Sequence, residues 1–221
     1  MADNTTALAD VQDGDFEDWL ELFNAGPKAV DLTGYTLTDD PANITKFVIP
    51  SGTVISQQQF LLVWADEETG QNVGANQDHL HVNFKLSANG EFIGLFAPDG
   101  TLIDSVQFGV QFENVSQGRR LDGQDSRFYF MPTPTPLASN VIPTSTGQPA
   151  RITTATLSPT RKLTLTWSSE VGLTYQVQYK ASLDDPQWVD LGGPIFARGT
   201  TTSFSDDTTA AQAHGFYRIV P

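Results

Sequence analysis

Short alternating runs dominate the hydrophobic pattern. In "DWLELFN" (18–24), Leu20 and Leu22 share one side, and Trp19, Glu21 and Phe23 share the other. A period of two over so few residues predicts a half-buried strand. "AVDLTGYTLTDD" (29–40) holds two such runs hinged at Gly34, and "TKFVIPSGTVI" (45–55) bends at Pro50-Ser51-Gly52. "QFLLVWA" (59–65) has no polar side and predicts a strand covered on both faces. After a polar loop (66–78), the runs 80–87, 91–97 and 101–109 are separated by Asn89-Gly90 and Pro98-Asp99-Gly100. These turn pairs predict hairpins, and therefore a meander.

The pattern changes at "FMPTPTPLASNVIPTSTGQPA" (130–150), where Pro132, Pro134, Pro136, Pro143 and Pro149 disfavour regular structure. Beyond it, six further runs predict strands: 150–158, 162–169, 174–182, 188–192, 200–206 and 215–221. Leu163, Leu165 and Trp167 share one face, as do Tyr175, Val177 and Tyr179, and the two sets are expected to meet across a small two-sheet core. No stretch shows a helical period. The expected fold is therefore all-β, with two tandem immunoglobulin-like antiparallel β-sandwiches, 1–137 and 151–221, joined by a Pro/Thr-rich linker at 138–150.

Composition agrees with strands and turns, at 17% charged residues with 18 Gly and 13 Pro. The formal net charge is −14, and 20 of the 26 acidic side chains precede residue 141, against six of the 12 basic ones. The first part thus carries the whole excess. Such a surface repels phosphate backbones and argues against nucleic-acid binding, while it favours cations and basic partners. With no cysteine, disulfides and thiolate chemistry are excluded. No apolar run nears the ~20 residues a membrane span needs, and "MADNTTALAD" lacks the regions of a signal peptide.

Several clusters bear on chemistry. "ALADVQDGDFEDW" (7–19) packs Asp10, Asp13, Asp15, Glu17 and Asp18 together without a Lys or Arg. Asp10, Asp13, Asp15 and Asp18, with Gly14 easing a bend, form a candidate calcium site, although the spacing departs from an EF-hand loop. The plain alternative is a solvated turn in which an Asp caps backbone N–H groups. Asp39-Asp40-Pro41 is a second acidic turn that could complete a cation site if it folds nearby. His79 and His81 stand two apart and could hold zinc with Asp78 or Glu91; the structural alternative keeps His81 in the sheet. His214 lies in a separate turn. Ser87 is near His81 in sequence, but hydrogen bonding to the Asn-Gly turn is its plainer role. Trp19 and Trp64 are candidate sugar-stacking platforms, with core packing as the competing reading. Arg119-Arg120 reads as a local ion pair with the acidic surface or as a docking point for the second domain. Neither a Gly-x-Ser-x-Gly elbow nor a phosphate loop occurs.

The stretches "DWLELFNAGPKAVDLTGYTLTDD", "FVIPSGTVISQQQFLLVWAD", "LHVNFKLSANGEFIGLFAPDGTLIDSVQFG" and "SQGRRLDG" resemble the bacterial form of the lamin tail domain over roughly residues 10–130. The resemblance implies an immunoglobulin-like sandwich and an accessory, non-catalytic role in secreted or cell-surface proteins. "LTLTWSS", "YQVQYKAS" and "FYRIV" resemble a fibronectin type III or related module. In the bacterial family an apolar strand of the type "INEF" usually precedes the segment matching Met1–Thr6. Either that strand is absent or the sequence is a fragment of a longer protein; its loss would leave an open sheet edge, expected to be covered by another chain or by the tail, and hence a route to homo-oligomers. The expected function is a non-catalytic interaction or anchoring module binding a protein or cell-surface polymer. The rival is a calcium-dependent hydrolase or carbohydrate-binding unit centred on the turn at 10–18.

Overall fold

The computed structural model describes residues 1–72, 79–119, 122, 128–142, 145–206 and 215–221. These carry seventeen strands and a single 3₁₀ turn, Thr69–Gln71, and they form two compact units, Met1–Val141 and Ile142–Pro221. The all-β class expected from the alternating runs is what the chain adopts.

In the first unit, β1 (Trp19–Phe23), β6 (Phe60–Ala65) and β7 (His79–Val82) make one sheet in the order β1-β6-β7. A second sheet runs β4-β3-β8-β9, from β3 (Thr36–Thr38), β4 (Phe47–Val48), β8 (Glu91–Phe96) and β9 (Leu102–Phe108). Two small pairs complete the unit: β2 (Val30–Asp31) with β5 (Val54–Ile55), and β10 (Ser116–Arg119) with β11 (Phe128–Met131). The strand expected to be covered on both faces is β6. Leu61, Val63 and Ala65 enter the main core with Leu37, Leu80 and Phe84. Leu62 and Trp64 point the other way, against Trp19 and Met1. Alternation in β1 likewise sends Leu20 and Leu22 toward the main core and Trp19 toward the smaller cluster.

Two connections differ from the expected meander. The Asn89-Gly90 turn does form, with Gly90 at φ +99° and its N–H donating to Ser87 O at 3.0 Å. It does not close a hairpin, however, because β7 lies in one sheet and β8 in the other. The preceding strand stops at Val82, so the turn carries the chain between layers. The β6–β7 pair is also parallel, with Leu62 opposite His79 and Ala65 opposite Val82. A parallel neighbour needs a crossover of a dozen or more residues, and the polar stretch 66–78 supplies it. By contrast, Asp99-Gly100 closes the true β8–β9 hairpin, with Ala97 N–H donating to Thr101 O at 2.8 Å.

The second unit contains the sheets β12-β13-β16 and β15-β14-β17. The members are β12 (Ile152–Leu157), β13 (Leu163–Ser168), β14 (Thr174–Lys180), β15 (Val189–Phe196), β16 (Thr201–Asp206) and β17 (Phe216–Val220). Leu165, Trp167, Tyr175 and Val177 meet in its core, with the Trp167 and Tyr175 rings 6.0 Å apart between centroids. Tyr179 instead packs on Tyr217, at 5.2 Å.

Candidate metal centre

The acidic turn at 10–15 is built by its own backbone. Asp10 N–H donates to Asp15 O at 2.8 Å, and Gly14 N–H donates to Asp10 O at 3.0 Å. Gly14 sits at φ +89°, a conformation that residues with a Cβ rarely adopt. Each of two carboxylates spends one oxygen on this turn. Asp10 Oδ1 accepts from Gln12 N–H at 2.9 Å, and Asp13 Oδ1 accepts from Asp15 N–H at 2.9 Å. Such Asx turns are the role that a structural reading assigns to these residues. The second oxygens, Asp10 Oδ2 and Asp13 Oδ2, remain to be accounted for.

Asp13 Oδ2 accepts from Gln71 Nε2 at 2.8 Å, and the Asp10 carboxylate lies beside the end of β6. Asp66, the first residue after that buried strand, is itself buried, and its Oδ1 accepts from Glu68 N–H at 2.9 Å. Its Oδ2 accepts from His81 Nδ1–H at 2.5 Å. His81 is fully buried on β7, and its backbone is gripped at both ends by Asn72, whose Nδ2 donates to His81 O at 2.7 Å and whose Oδ1 accepts from His81 N–H at 2.9 Å. Gln12 spans the histidines, with its Nε2 at 2.8 Å from His79 Nε2 and 3.4 Å from His81 Nε2. Ligand-capable atoms of Asp10, Asp66 and His81 all lie within 4.8 Å of one another, and so do those of Asp10, Asp13 and Glu17.

Three buried oxygens at this place have no hydrogen-bond partner: Asp10 Oδ2, Glu17 Oε2 and Gln71 Oε1. Asp10 Oδ2 lies 3.7 Å from His81 Nδ1, too far for a hydrogen bond. Burying an unpaired carboxylate oxygen is costly, and the cost shows in the electrostatics. Burial and the neighbouring Asp66 and Glu68 push the Glu17 carboxyl from its ordinary 4.5 up to about 7. Glu68 is raised by the same kind of crowding. Asp13 is held low by the Asp15 N–H and by Gln71, whose Nε2 donates to its Oδ2 at 2.8 Å.

Of the four carboxylates expected to form the calcium site, Asp10 and Asp13 converge, whereas Asp15 and Asp18 do not. Asp15 is exposed and contributes its backbone to the turn. Asp18 Oδ1 accepts from Asn4 N–H at 3.1 Å. Glu17 lies with Asp10 and Asp13 instead, and Asp66 lies with Asp10 and His81. The sequence carried a signal for Asp66, since an acid directly after a strand buried on both faces must point into or beside the interior. Asp39 is spent on Lys46 Nζ, at 2.6 Å, and Asp40 Oδ1 caps Ala42 N–H at 2.8 Å.

The other candidates fall out separately. His79 and His81 do adjoin, their rings edge-on at 5.4 Å. Glu91 instead accepts from the Ser87 N–H, and Asp78, Arg120 and His214 lie outside the described residues. Ser87 Oγ accepts from Asn89 N–H at 3.2 Å, the turn role. Trp19 and Trp64 are not platforms. They are 4% and 1% exposed and stand opposite each other across β1 and β6, so neither ring has a free face for a sugar. Arg119 forms a two-point ion pair with Asp104 and lies over the Phe128 ring, 4.9 Å from its centroid.

Residues 3–109 match the family model described as Lamin Tail Domain. No match to the chain was found among curated proteins or among solved structures.

Proposed function

On a lamin tail scaffold, an immunoglobulin-like domain of a non-enzymatic family, we propose that the chain is a non-catalytic interaction or anchoring module of a larger secreted or cell-surface protein. Its mode of binding is strand addition along the outer edge of β1. The observation that carries this reading is the state of that edge. β1 bonds to β6 through Leu20 and Leu22, as the flanking bonds Ala65 N–H to Asp18 O (2.8 Å) and Asn24 N–H to Gln59 O (3.0 Å) fix. The main-chain groups of Trp19, Glu21 and Phe23 therefore point outward. Met1 satisfies Trp19, accepting its N–H at 3.0 Å and donating to its carbonyl at 2.7 Å. Among the described residues, none bonds the outward N–H and C=O of Glu21 and Phe23.

A groove of about 810 Å³ runs beside this edge, and β9, an edge strand of the second sheet, also lines it. Leu22, Ile93 and Leu95, which belong to the main core, are only half-buried because they line it. An extended segment would gain main-chain bonds from β1 and bury alternate apolar side chains on these residues. Asp104 on the rim is paired with Arg119, so the uncompensated acids there are Glu21 and Asp122; in a chain of net charge −14 they favour a segment with basic flanks.

An alternating Val-Lys hexapeptide tests this. Binding should slow hydrogen exchange at the Glu21 and Phe23 amides. Glu21→Pro removes one outward N–H and leaves the β6 ladder intact, as proline on an edge strand does, and it should abolish the protection at the Phe23 amide. Unchanged exchange at both amides, or equal binding by the proline variant, would overturn the proposal.

A further inference from the structure

We propose that Asp10, Asp13, Glu17 and Asp66 bind one calcium ion, with His81 holding Asp66 in position. The cluster alone would be a patch of acids. What distinguishes it is Asp10, whose side chain is fully buried and whose Oδ2 is aimed at the cluster without a hydrogen bond. Glu17 Oε2 and Gln71 Oε1 are covered and unpartnered at the same place. Among the described residues, no Lys or Arg forms an ion pair with any of the four carboxylates. Native structures rarely leave such groups unsatisfied, and a bound ion is one of the few explanations. One divalent cation between Asp10, Asp13 and Glu17, whose ligand atoms lie within 4.8 Å of one another, would satisfy the two carboxylate oxygens.

The donor set selects the ion. Calcium takes six to eight oxygen ligands in an adaptable geometry, whereas zinc prefers four ligands rich in nitrogen or sulfur. The donors here are carboxylate and amide oxygens. The nitrogen nearest to them, His81 Nδ1, is already committed to Asp66 at 2.5 Å. That hydrogen bond fixes the carboxylate's orientation, as outer partners of metal ligands commonly do. Local spacing explains why the set is not an EF-hand. Asp10, Asp13 and Glu17 come from one turn, and Asp66 comes from the end of β6, at the start of the crossover.

The full chain, stripped with chelator, should be titrated with calcium, magnesium and zinc by calorimetry and by thermal melting. The expected result is one calcium per chain and a melting temperature that climbs with calcium concentration, as linkage requires. Asp10→Asn should lose both responses. In chelator it should melt no lower than the parent, because the amide removes an uncompensated buried charge. Glu17→Gln, at a half-buried position, should lose calcium binding as well, and it keeps the test decisive if Asp10→Asn fails to fold. Asp15→Asn should bind as the parent does. No calcium response in the parent, a response surviving in both Asp10→Asn and Glu17→Gln, or zinc or magnesium binding as tightly as calcium would each overturn the assignment.

Discussion

His81 Nδ1 and Asp66 Oδ2 lie 2.5 Å apart, and both side chains are wholly shut off from solvent. Removing one member of a buried pair strands the other. His81→Ala should therefore cost about 3–5 kcal/mol, read as a fall in the urea midpoint of the first unit. His81→Ala combined with Asp66→Ala should cost less than the sum of the single variants, because the Asp66 carboxylate is then not left without its partner.

Glu21 gives the first unit a pH dependence. Burial, with the Asp122 carboxylate, raises its carboxyl from 4.5 to about 7, while the Leu137 N–H and the Met1 amino group pull the other way. The unfolded chain releases this proton near 4.5 and the folded chain near 7, so between the two values the folded state binds more protons. Stability should accordingly fall as pH rises through that window and level off above it. A tenfold difference in proton affinity between the folded and unfolded chains is worth about 1.4 kcal/mol. Glu21→Gln should remove this component, so the difference in urea midpoint between variant and parent should grow in the variant's favour from pH 5 to pH 8.

Gly90 holds the layer-crossing turn. At φ +99°, an added Cβ would sit 2.5 Å from Phe108 O and 2.7 Å from Gly109 Cα, both backbone atoms. Neither can move without disturbing β9. Gly90→Ala should destabilise by about 1–3 kcal/mol through strain and the forced shift, measurable by denaturant titration.

Trp167 is the largest fully covered side chain of the second unit, and its indole N–H has no partner. Trp167→Ala should cost about 3–5 kcal/mol, enough to abolish near-ultraviolet dichroism from the Tyr175 environment in so small a unit. Trp167→Phe keeps a ring against Tyr175 and drops the orphan donor, so it should cost markedly less.

The parts of the fold that were legible in the sequence were those governed by period. Leu20 and Leu22 against Trp19, and the unbroken apolar run of β6, each announced which side of the strand would be buried. Pairing was less legible. Asn89-Gly90 specifies a turn, yet a turn does not state whether its two arms share a sheet, and here they do not. Nor does alternation distinguish a parallel neighbour from an antiparallel one. At the acidic cluster, local density identified Asp10 and Asp13. It could not separate them from Asp15 and Asp18, because the carboxylates differ only in where the turn aims them. Asp66, Gln71 and His81 arrive from more than fifty residues away, a distance no local spacing encodes.

The crossover at 66–78 has a consequence for how the chain tolerates changes in length. Its first residues supply Asp66, Glu68 and Gln71 to the acidic cluster, and its span allows β7 to run parallel to β6. The tip at Asp99-Gly100 bears neither duty, since it closes an exposed two-strand hairpin. Inserted residues should thus be accepted at the hairpin tip and rejected between Asp66 and Asn72. Two loops of similar polarity would then differ sharply in how freely they can be lengthened, rewritten or used to carry a graft.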